Sequence, residues 1–523
     1  MTRTTRAQTT PRSPTIPATA AHHARTRPDD TAIECGGRVV TFREFHQRGE
    51  HTARALLAAG ISAGDRLAYL GQDSEHAYDL LLACARVGAV LVPVDPRLAP
   101  KEIGHVLADS GAALVFAGPE HLADLAGIGP AEADRPTVVA LDDAGDGTPT
   151  IDAWRATGAA GHDAPLPAEP GPDGELIQLY TSGTTGAPKG VVLSQGSFWA
   201  IGDLLARHEL DWLDWRPEDR SLNLLPGHHV GGPWWFLQGF RAGATNIIAQ
   251  GFEVERVLAL IRDGGVTTTL VVPSMLRFLL AEPDADAEAF AGLRKVVYGG
   301  SPMPEALLVE CLKVMGCEFA QIYGLTETCA SAVCLPPADH VPGNPRLRAA
   351  GRPYPGVAVE TVDGDGRPLP PGEAGEVRID TPAVMAGYWN QPDQTAAVLR
   401  DGWLHTGDAG YLDEDGYVYL HDRIKDVILV AGENVYPAEV ESALRTHPGV
   451  ADAAVVGIPD EVRGEAVRAC VVPRPGARPT VGELRIFLRD LLADYKAPTD
   501  YVFLDDLPRN AAGKTLRRQL REG

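Results

Sequence analysis

Short apolar runs alternate with helical patterns along most of this chain, and that alternation sets the fold class. Arg66–Leu70, Val90–Val94 and Ala113–Ala117 read as strands, with helices Ala77–Val87 and Pro100–Ser110 between them. Runs that are apolar throughout suit strands covered on both faces, and strands separated by helices pair in parallel. The expectation is an α/β protein whose large N-terminal domain holds parallel and mixed sheets with flanking helices. Upstream, Gly36-Gly37 between apolar runs reads as a hairpin leading into a helix. Residues 118–174 are rich in Ala, Gly, Pro and Asp with weak periodicity, and read as loop and surface structure.

The pattern changes after Leu420. A strand from Lys425 to Val430 leads to a helix over Pro437–Thr446, then strands Ala453–Ile458 and Ala466–Val472. A last helix carries Leu484, Phe487, Leu488, Leu491 and Leu492 on one face. These elements imply a small α+β C-terminal domain. The first 28 residues contain five Arg, eight Thr and no acid, with Pro11, Pro14 and Pro17 interrupting any amphipathic helix. They read as a disordered tail. The expected division is therefore a tail over 1–29, a large domain over 30–422 and a small domain over 423–523.

Charge and cysteine content narrow the function classes. The net charge of −23 opposes nucleic acid and anionic membranes, so a polyphosphate ligand needs local cations and a metal. The seven cysteines form no CxxC pair and lack zinc-ligand spacing, which fits reduced thiols in the cytoplasm. The longest apolar stretch, Leu80 to Val94, is broken by Arg86, so no membrane span is expected.

The most informative segment is Leu179-Tyr180-Thr181-Ser182-Gly183-Thr184-Thr185-Gly186-Ala187-Pro188-Lys189-Gly190. An apolar strand, Leu176–Tyr180, runs into hydroxyls and glycines, and Lys189 closes the loop. Glycines let backbone N–H groups approach phosphate oxygens, hydroxyls add donors and the lysine adds a point charge. The segment differs from GxxxxGK[ST], and so does Gly513-Lys514-Thr515, which has Pro508 where the first glycine belongs.

Thr181–Gly190 resembles the signature loop of the adenylate-forming enzyme superfamily, which includes acyl- and aryl-CoA synthetases, peptide adenylation domains and beetle luciferases. Further segments resemble that family in order: Tyr323-Gly324-Leu325-Thr326-Glu327-Thr328, Trp403-Leu404-His405-Thr406-Gly407-Asp408, the hinge-like Asp422-Arg423-Ile424-Lys425-Asp426, Gly432-Glu433-Asn434-Val435-Tyr436-Pro437, and Pro508–Lys514. The resemblance spans residues 30–520.

That resemblance implies ATP-dependent activation of a carboxylic acid through an acyl-AMP. A carboxylate must attack an anionic α-phosphate, so cations aimed at the transition state are the remedy. By resemblance Lys514 bridges the carboxylate and the α-phosphate, Glu327 holds Mg²⁺ and Thr326 contacts phosphate. Thr181, Ser182, Gly183, Thr184, Thr185, Gly186 and Lys189 would cradle the nucleotide phosphates. Tyr323 would stack on adenine, with Asp408 and Arg423 at the ribose. His229, in Leu225-Pro226-Gly227-His228-His229-Val230-Gly231-Gly232, matches the family histidine beside the substrate carboxylate. Lys425 matches the hinge of a mobile C-terminal domain, and Gly432 would face the thiol channel.

Members that activate amino acids carry Asp directly after the residue matched by His229; here Val230 stands there, which implies an acid without an α-amine. The acyl pocket is expected to be lined by Val230, Gly231, Gly232, Trp234, Trp235, Tyr298, Gly299, Gly300, Ser301 and Ile322, with inward-pointing tryptophans favouring aromatic or short acids. Ser301 and Arg348-Ala349-Ala350-Gly351 depart from the family pattern. The short spacing from Thr328 to Gly351 leaves no room for the insertion of fatty acyl-AMP ligases, which favours a thioester product. The leading reading is an acyl- or aryl-CoA ligase acting on an aryl, short or fatty acid with CoA. The alternative is an adenylating enzyme that loads the phosphopantetheine of an acyl carrier protein, or passes the adenylate to a nitrogen nucleophile. A nucleotide-binding scaffold or a luciferase-like oxygenase is the third; the presence of Lys514, Glu327 and Lys189 opposes a scaffold.

Overall fold

Strands Arg66–Leu70 and Val90–Val94 are buried at every position and sit at the middle of a seven-stranded sheet. The computed structural model describes residues 14–126, 136–143, 145, 147–160, 165–181, 188–301, 303–423, 426–430, 433–460, 463–489, 491–492, 494–509 and 515–522, without the side chains of Asp422, Arg423, Glu433, Asn434, Tyr495 and Glu522. In that sheet, the strands from Glu175–Thr181 through Val90–Val94, Arg66–Leu70 and Leu114–Ala117 to Thr137–Ala140 pair in parallel. Lys189–Ser194 and Gly387–Tyr388 add antiparallel strands at one edge. Helix Glu75–Val87 is capped by Ser74, ends at the left-handed Gly88 (φ 81°) and is buried on nearly every face. The apolar stretch Leu80–Val94 is thus a core helix feeding a core strand. Among the described residues no helix is long and apolar enough to cross a membrane.

A nine-stranded sheet forms the second half of the large unit. Its parallel core runs from Thr31–Cys35 through Thr245–Ile248, Arg220–Asn223, Thr268–Val271 and Lys295–Gly299 to Glu318–Tyr323. Antiparallel strands close both edges, so the expected mixed sheets with flanking helices are present. A third, antiparallel sheet contains Ala358–Val362, Gly375–Asp380, Trp403–Leu412 and Val418–Arg423.

The C-terminal unit has its own sheet and its own core, which joins Val440, Leu444, Val455, Val467, Leu484 and Leu488. Its last long helix, Val481–Arg489, buries Leu484 and Leu488, while Leu491 lies beyond it and is exposed. The large unit's last strand ends at Arg423 and the small core begins at Ile428. His421 of the one stacks on Tyr436 of the other, with ring centroids 4.6 Å apart.

Two expectations change. Residues assigned to the tail include a helix, Ile16–Thr26, capped by Thr15 with Pro17 in its first turn, where a missing N–H costs nothing. It buries Ile16, Ala20 and His23, and His23 packs between Phe42 and Phe240. Within 118–174, strand Thr137–Ala140 extends the seven-stranded sheet and helix Ile151–Ala160 lies against helix Phe42–Ala58. Its apolar anchor is short, Ile151 in the core and Trp154 edge-on to Phe116, and the rest is polar or a close backbone approach. Arg155 donates to Thr52 Oγ1 (2.8 Å) and Asp79 Oδ2 (3.2 Å), and Gly158 lies so close to Ala55 that a Cβ would sit 2.6 Å from its methyl carbon.

Candidate active site

A cleft of about 1260 Å³ opens beyond the carboxyl ends of both parallel sheets. The seven-stranded sheet supplies Gly71, Pro96 and Thr181, each at or just past a strand end. The nine-stranded sheet supplies Leu224, Gln250, Val272, Gly300 and Gly324 in the same way. Chain leaving a parallel strand must turn there, and its turning backbone makes the crevice in which α/β proteins bind ligands.

Thr181 and Lys189 face each other across the strand pair that carries the phosphate-type loop, and both line the cleft. Ser182, Gly183, Thr184, Thr185 and Gly186 lie outside the described residues. So do Lys425, Gly432 and Lys514. Arg509 and Thr515 flank the Lys514 segment and pair as an antiparallel bridge, and Arg509 lines the cleft.

Strand Glu318–Tyr323 ends in a tight reversal. Gly324 packs so closely that a Cβ would lie 2.5 Å from the Ala330 carbonyl oxygen, and Cys329 and Ala330 both adopt positive φ (50° and 76°). Two consecutive left-handed non-glycine residues store strain that the surrounding structure must hold. The reversal presents Thr326 and Glu327 to the cleft. Glu327 Oε1 accepts a 2.7 Å hydrogen bond from the Tyr388 hydroxyl, and its backbone oxygen accepts from Met385 N at 2.8 Å. Lys189 Nζ sits 4.9 Å from the centroid of the Tyr388 ring.

Tyr323 lies behind Gly324 and donates to Asp408 Oδ2 at 2.7 Å. Neither side chain lines the cleft, but Thr406 and Gly407 beside Asp408 do. Glu376 accepts from Gly407 N (3.2 Å) and lies 2.8 Å from His405 Nδ1, fixing this turn. Strand register sets Arg423 opposite Asp408; its side chain is outside the description.

His229, Val230, Gly231, Gly299, Gly300 and Ile322 line the cleft. Burial lowers the His229 pKa and takes that of His228 down to about 3, so both rings are neutral at pH 7. Asp73 Oδ1 accepts from Gly227 N at 2.8 Å and holds the turn that carries both histidines.

Trp234, Trp235, Tyr298, Gly232 and Ser301 do not line the cleft. Helix Gly231–Ala242 is buried on most faces, and its tryptophans, 0% and 1% exposed, pack with Trp215 in the core. Tyr298 is fully buried, with its hydroxyl 3.1 Å from His340 Nε2. Gly232 is pressed against the Pro226 carbonyl, and Ser301 points to solvent. In their place the cleft has an apolar arm made by Val272, Met275, Phe252 and Phe278, and Phe278 is 54% exposed. Helix Pro273–Leu280 buries Leu276 and Leu279, so its amphipathic pattern marks Met275 and Phe278 as lying off the core face. Tyr388 and Arg97, also cleft-lining, have no comparable sequence signal.

The AMP-binding enzyme family model matches residues 20–389, and that for the AMP-binding enzyme C-terminal domain matches residues 439–514. The chain belongs to the adenylate-forming enzyme superfamily. It is 52% identical over 517 residues to the fatty acid–[acyl-carrier-protein] ligase ScoC of Streptomyces coeruleorubidus, covering 98% of this chain and 97% of that protein. It is 37% identical over 500 residues to a feruloyl-CoA synthase of Amycolatopsis sp, covering 95% of this chain and 96% of that one. Among solved structures, ATP-bound MatB from Rhodopseudomonas palustris superposes with a TM-score of 0.86 at 32% identity, covering 96% of this chain and 98% of that one. The amide bond synthetase McbA from Marinactinospora thermotolerans gives 0.84 at 31% identity, covering 97% and 99%. This adenylate-forming enzyme binds ATP and is an AMP-forming acid–thiol ligase of the acyl-CoA synthetase type.

Proposed function

We propose that the enzyme adenylates an apolar, chain-like carboxylic acid without an α-amine and transfers the acyl group to a phosphopantetheine thiol. The observation that carries this reading is the apolar arm. Val272, Met275, Phe252 and Phe278 line the cleft together with His229 and Gly300, the Phe252 and Phe278 rings lie 6.4 Å apart, and no tryptophan is among the described lining residues. Val230, next to His229, supplies no carboxylate for an ammonium group.

In the first half-reaction a carboxylate oxygen attacks the α-phosphorus, the bond to pyrophosphate breaks and an acyl-AMP forms. Thr181, the loop hydroxyls and Lys189 bind the phosphates; Tyr323 and Asp408, bonded to each other behind the cleft wall, hold Thr406 and Gly407 at the nucleoside, with Arg423 at the ribose. Neutral His229 borders the carboxylate without adding a competing charge. Lys514 places its cation between carboxylate and α-phosphate. In the second half-reaction the thiol attacks the acyl carbonyl and AMP leaves. Lys425 serves as the hinge between the two, and Gly432 as a wall of the thiol channel.

Glu327 fits a hard cation: it is a cleft-facing carboxylate with one oxygen engaged by Tyr388 and, among the described residues, no side-chain hydrogen bond to the other. Magnesium is held by few protein carboxylates plus phosphate oxygens, and there it would supply charge neutralisation for the nucleotide. The seven cysteines are free and six are buried, which supports a cytoplasmic enzyme.

Both CoA and a holo acyl carrier protein present the same thiol. The 52% identity to an acyl-carrier-protein ligase, against 37% to CoA ligases, favours the carrier. The test is mass spectrometry of reactions with ATP, Mg²⁺ and aryl, short and long acids, with CoA, with a holo carrier protein and with neither. Acyl-thioester from chain-like acids supports the reading. Turnover of amino acids or of aryl acids alone would overturn the acid assignment, and acyl-AMP without any thioester would overturn the acceptor.

A further inference from the structure

We propose that Tyr388 is a positioning residue for adenylation: its hydroxyl occupies one oxygen of the Glu327 carboxylate, leaving the other to meet the magnesium–nucleotide complex. The proposal rests on the reading of Glu327 as the metal carboxylate.

The contact is short and direct, 2.7 Å from the phenol oxygen to Oε1. A phenol donating to an ionised carboxylate makes a charge-assisted bond, stronger than a neutral pair. Magnesium demands near-ideal octahedral geometry, so a carboxylate that offers a single, fixed oxygen suits it better than a freely rotating one. The backbone reinforces the side chain, because Met385 N donates to the Glu327 carbonyl at 2.8 Å. Glu327 is therefore gripped twice by the segment 385–388.

That segment is also paired to the strand that leaves the phosphate loop. Gly387 and Tyr388 pair with Val192 and Val191 of the strand that begins at Lys189, and Trp389 N donates to Gly190 O at 2.7 Å. Lys189 Nζ lies over the Tyr388 ring, which gives the ammonium a weak cation–π anchor. The next residue is locked as well: Trp389 Nε1 donates to Asp109 O (3.0 Å), and the Arg66 guanidinium lies 3.4 Å from the Trp389 ring centroid. One side chain on a fixed backbone thus touches both the phosphate-loop cation and the proposed metal carboxylate, whose own strand lies in the other sheet.

The test is calorimetric binding of a non-hydrolysable α,β-methylene ATP analogue, with and without Mg²⁺, to wild type, Tyr388→Phe, Glu327→Ala and the double variant. Phenylalanine keeps the ring under Lys189 and removes only the hydroxyl. The expected result is that Tyr388→Phe weakens binding about tenfold with Mg²⁺, the scale of a hydrogen bond to a charged group, and leaves metal-free binding unchanged. In the Glu327→Ala background the second change should have no further effect. If Glu327→Ala weakens Mg²⁺-dependent binding and Tyr388→Phe does not, the proposal is overturned while the metal reading stands. Equal losses in both backgrounds also overturn it, because a merely structural role is additive. If Glu327→Ala leaves binding intact, the metal reading and the proposal fall together.

Discussion

The Tyr323 hydroxyl donates to Asp408 Oδ2 at 2.7 Å, tying the last parallel strand of the nine-stranded sheet to the third, antiparallel sheet. Asp408 is only 8% exposed, and its backbone is fixed as firmly as its side chain. Its N–H donates to Thr406 Oγ1 at 3.0 Å, and that hydroxyl donates to Val377 O at 2.6 Å. These bonds fix the turn that brings Thr406 and Gly407 to the cleft, which is the nucleoside end of the site in the proposed reading. Tyr323→Phe should raise the KM for ATP roughly tenfold while changing kcat little, because a hydrogen bond to a carboxylate is worth about 1.5–3 kcal/mol. ATP-dependent pyrophosphate exchange measures this. A loss confined to kcat would place the phenol in the chemical step instead.

The role proposed for Lys514 would separate the two half-reactions. Lys514→Ala should slow acyl-AMP formation by about 10²–10³ or more, the scale for losing a preorganised charge at the reacting phosphate. The same variant, given synthetic acyl-AMP and thiol, should form thioester at close to the wild-type rate. Single-turnover assays of each half-reaction check this. Equal loss in both would assign Lys514 a structural role.

The fold class was legible because it is written locally. Arg66–Leu70 and Val90–Val94 are apolar at almost every position, and only a strand covered on both faces needs that. Thr181 and Lys189 are paired at the ends of two strands, and the hydroxyl- and glycine-rich segment between them is visible in the sequence itself. What was misread depends on distant partners. Helix Ile16–Thr26 offers a thin apolar stripe, and part of the surface that buries it, Phe240, comes from more than 200 residues downstream. Trp234 and Trp235 lie on a helix buried on most faces, so no periodicity says which side meets the cleft. Tyr388 reaches Glu327 and Lys189 only because Gly387–Tyr388 pairs with a strand almost 200 positions earlier.

The apolar arm and the tryptophan pair make opposite predictions. Met275→Trp fills the arm between Val272 and Phe278 and should shift preference toward short acids, seen as a rise in the KM of long acids relative to short ones. Trp234→Ala should leave that ratio unchanged and cost about 3–5 kcal/mol of stability, since it empties a fully buried site. Competition between acids of different length, read by mass spectrometry, and thermal melting of the Trp234 variant check the pair.

Asp73 gives the site a pH signature. Burial pushes its carboxyl up to about 6, against the pull of the Gly227 N–H, which favours the charged form. The unfolded chain releases that proton near pH 4, so between about pH 4 and pH 6 the folded state binds more protons than the unfolded one. This group's contribution to stability is therefore full below about pH 4 and is lost as pH rises through about 6. Above that the ionised, desolvated carboxylate costs about 1–3 kcal/mol. Asparagine can accept the same Gly227 N–H through its amide oxygen and carries no charge. Asp73→Asn should thus be more stable than wild type at pH 7.5, and the difference should shrink toward zero at pH 4. Urea unfolding at the two pH values measures it. A difference that is the same at both would mean that the Asp73 proton is not linked to folding.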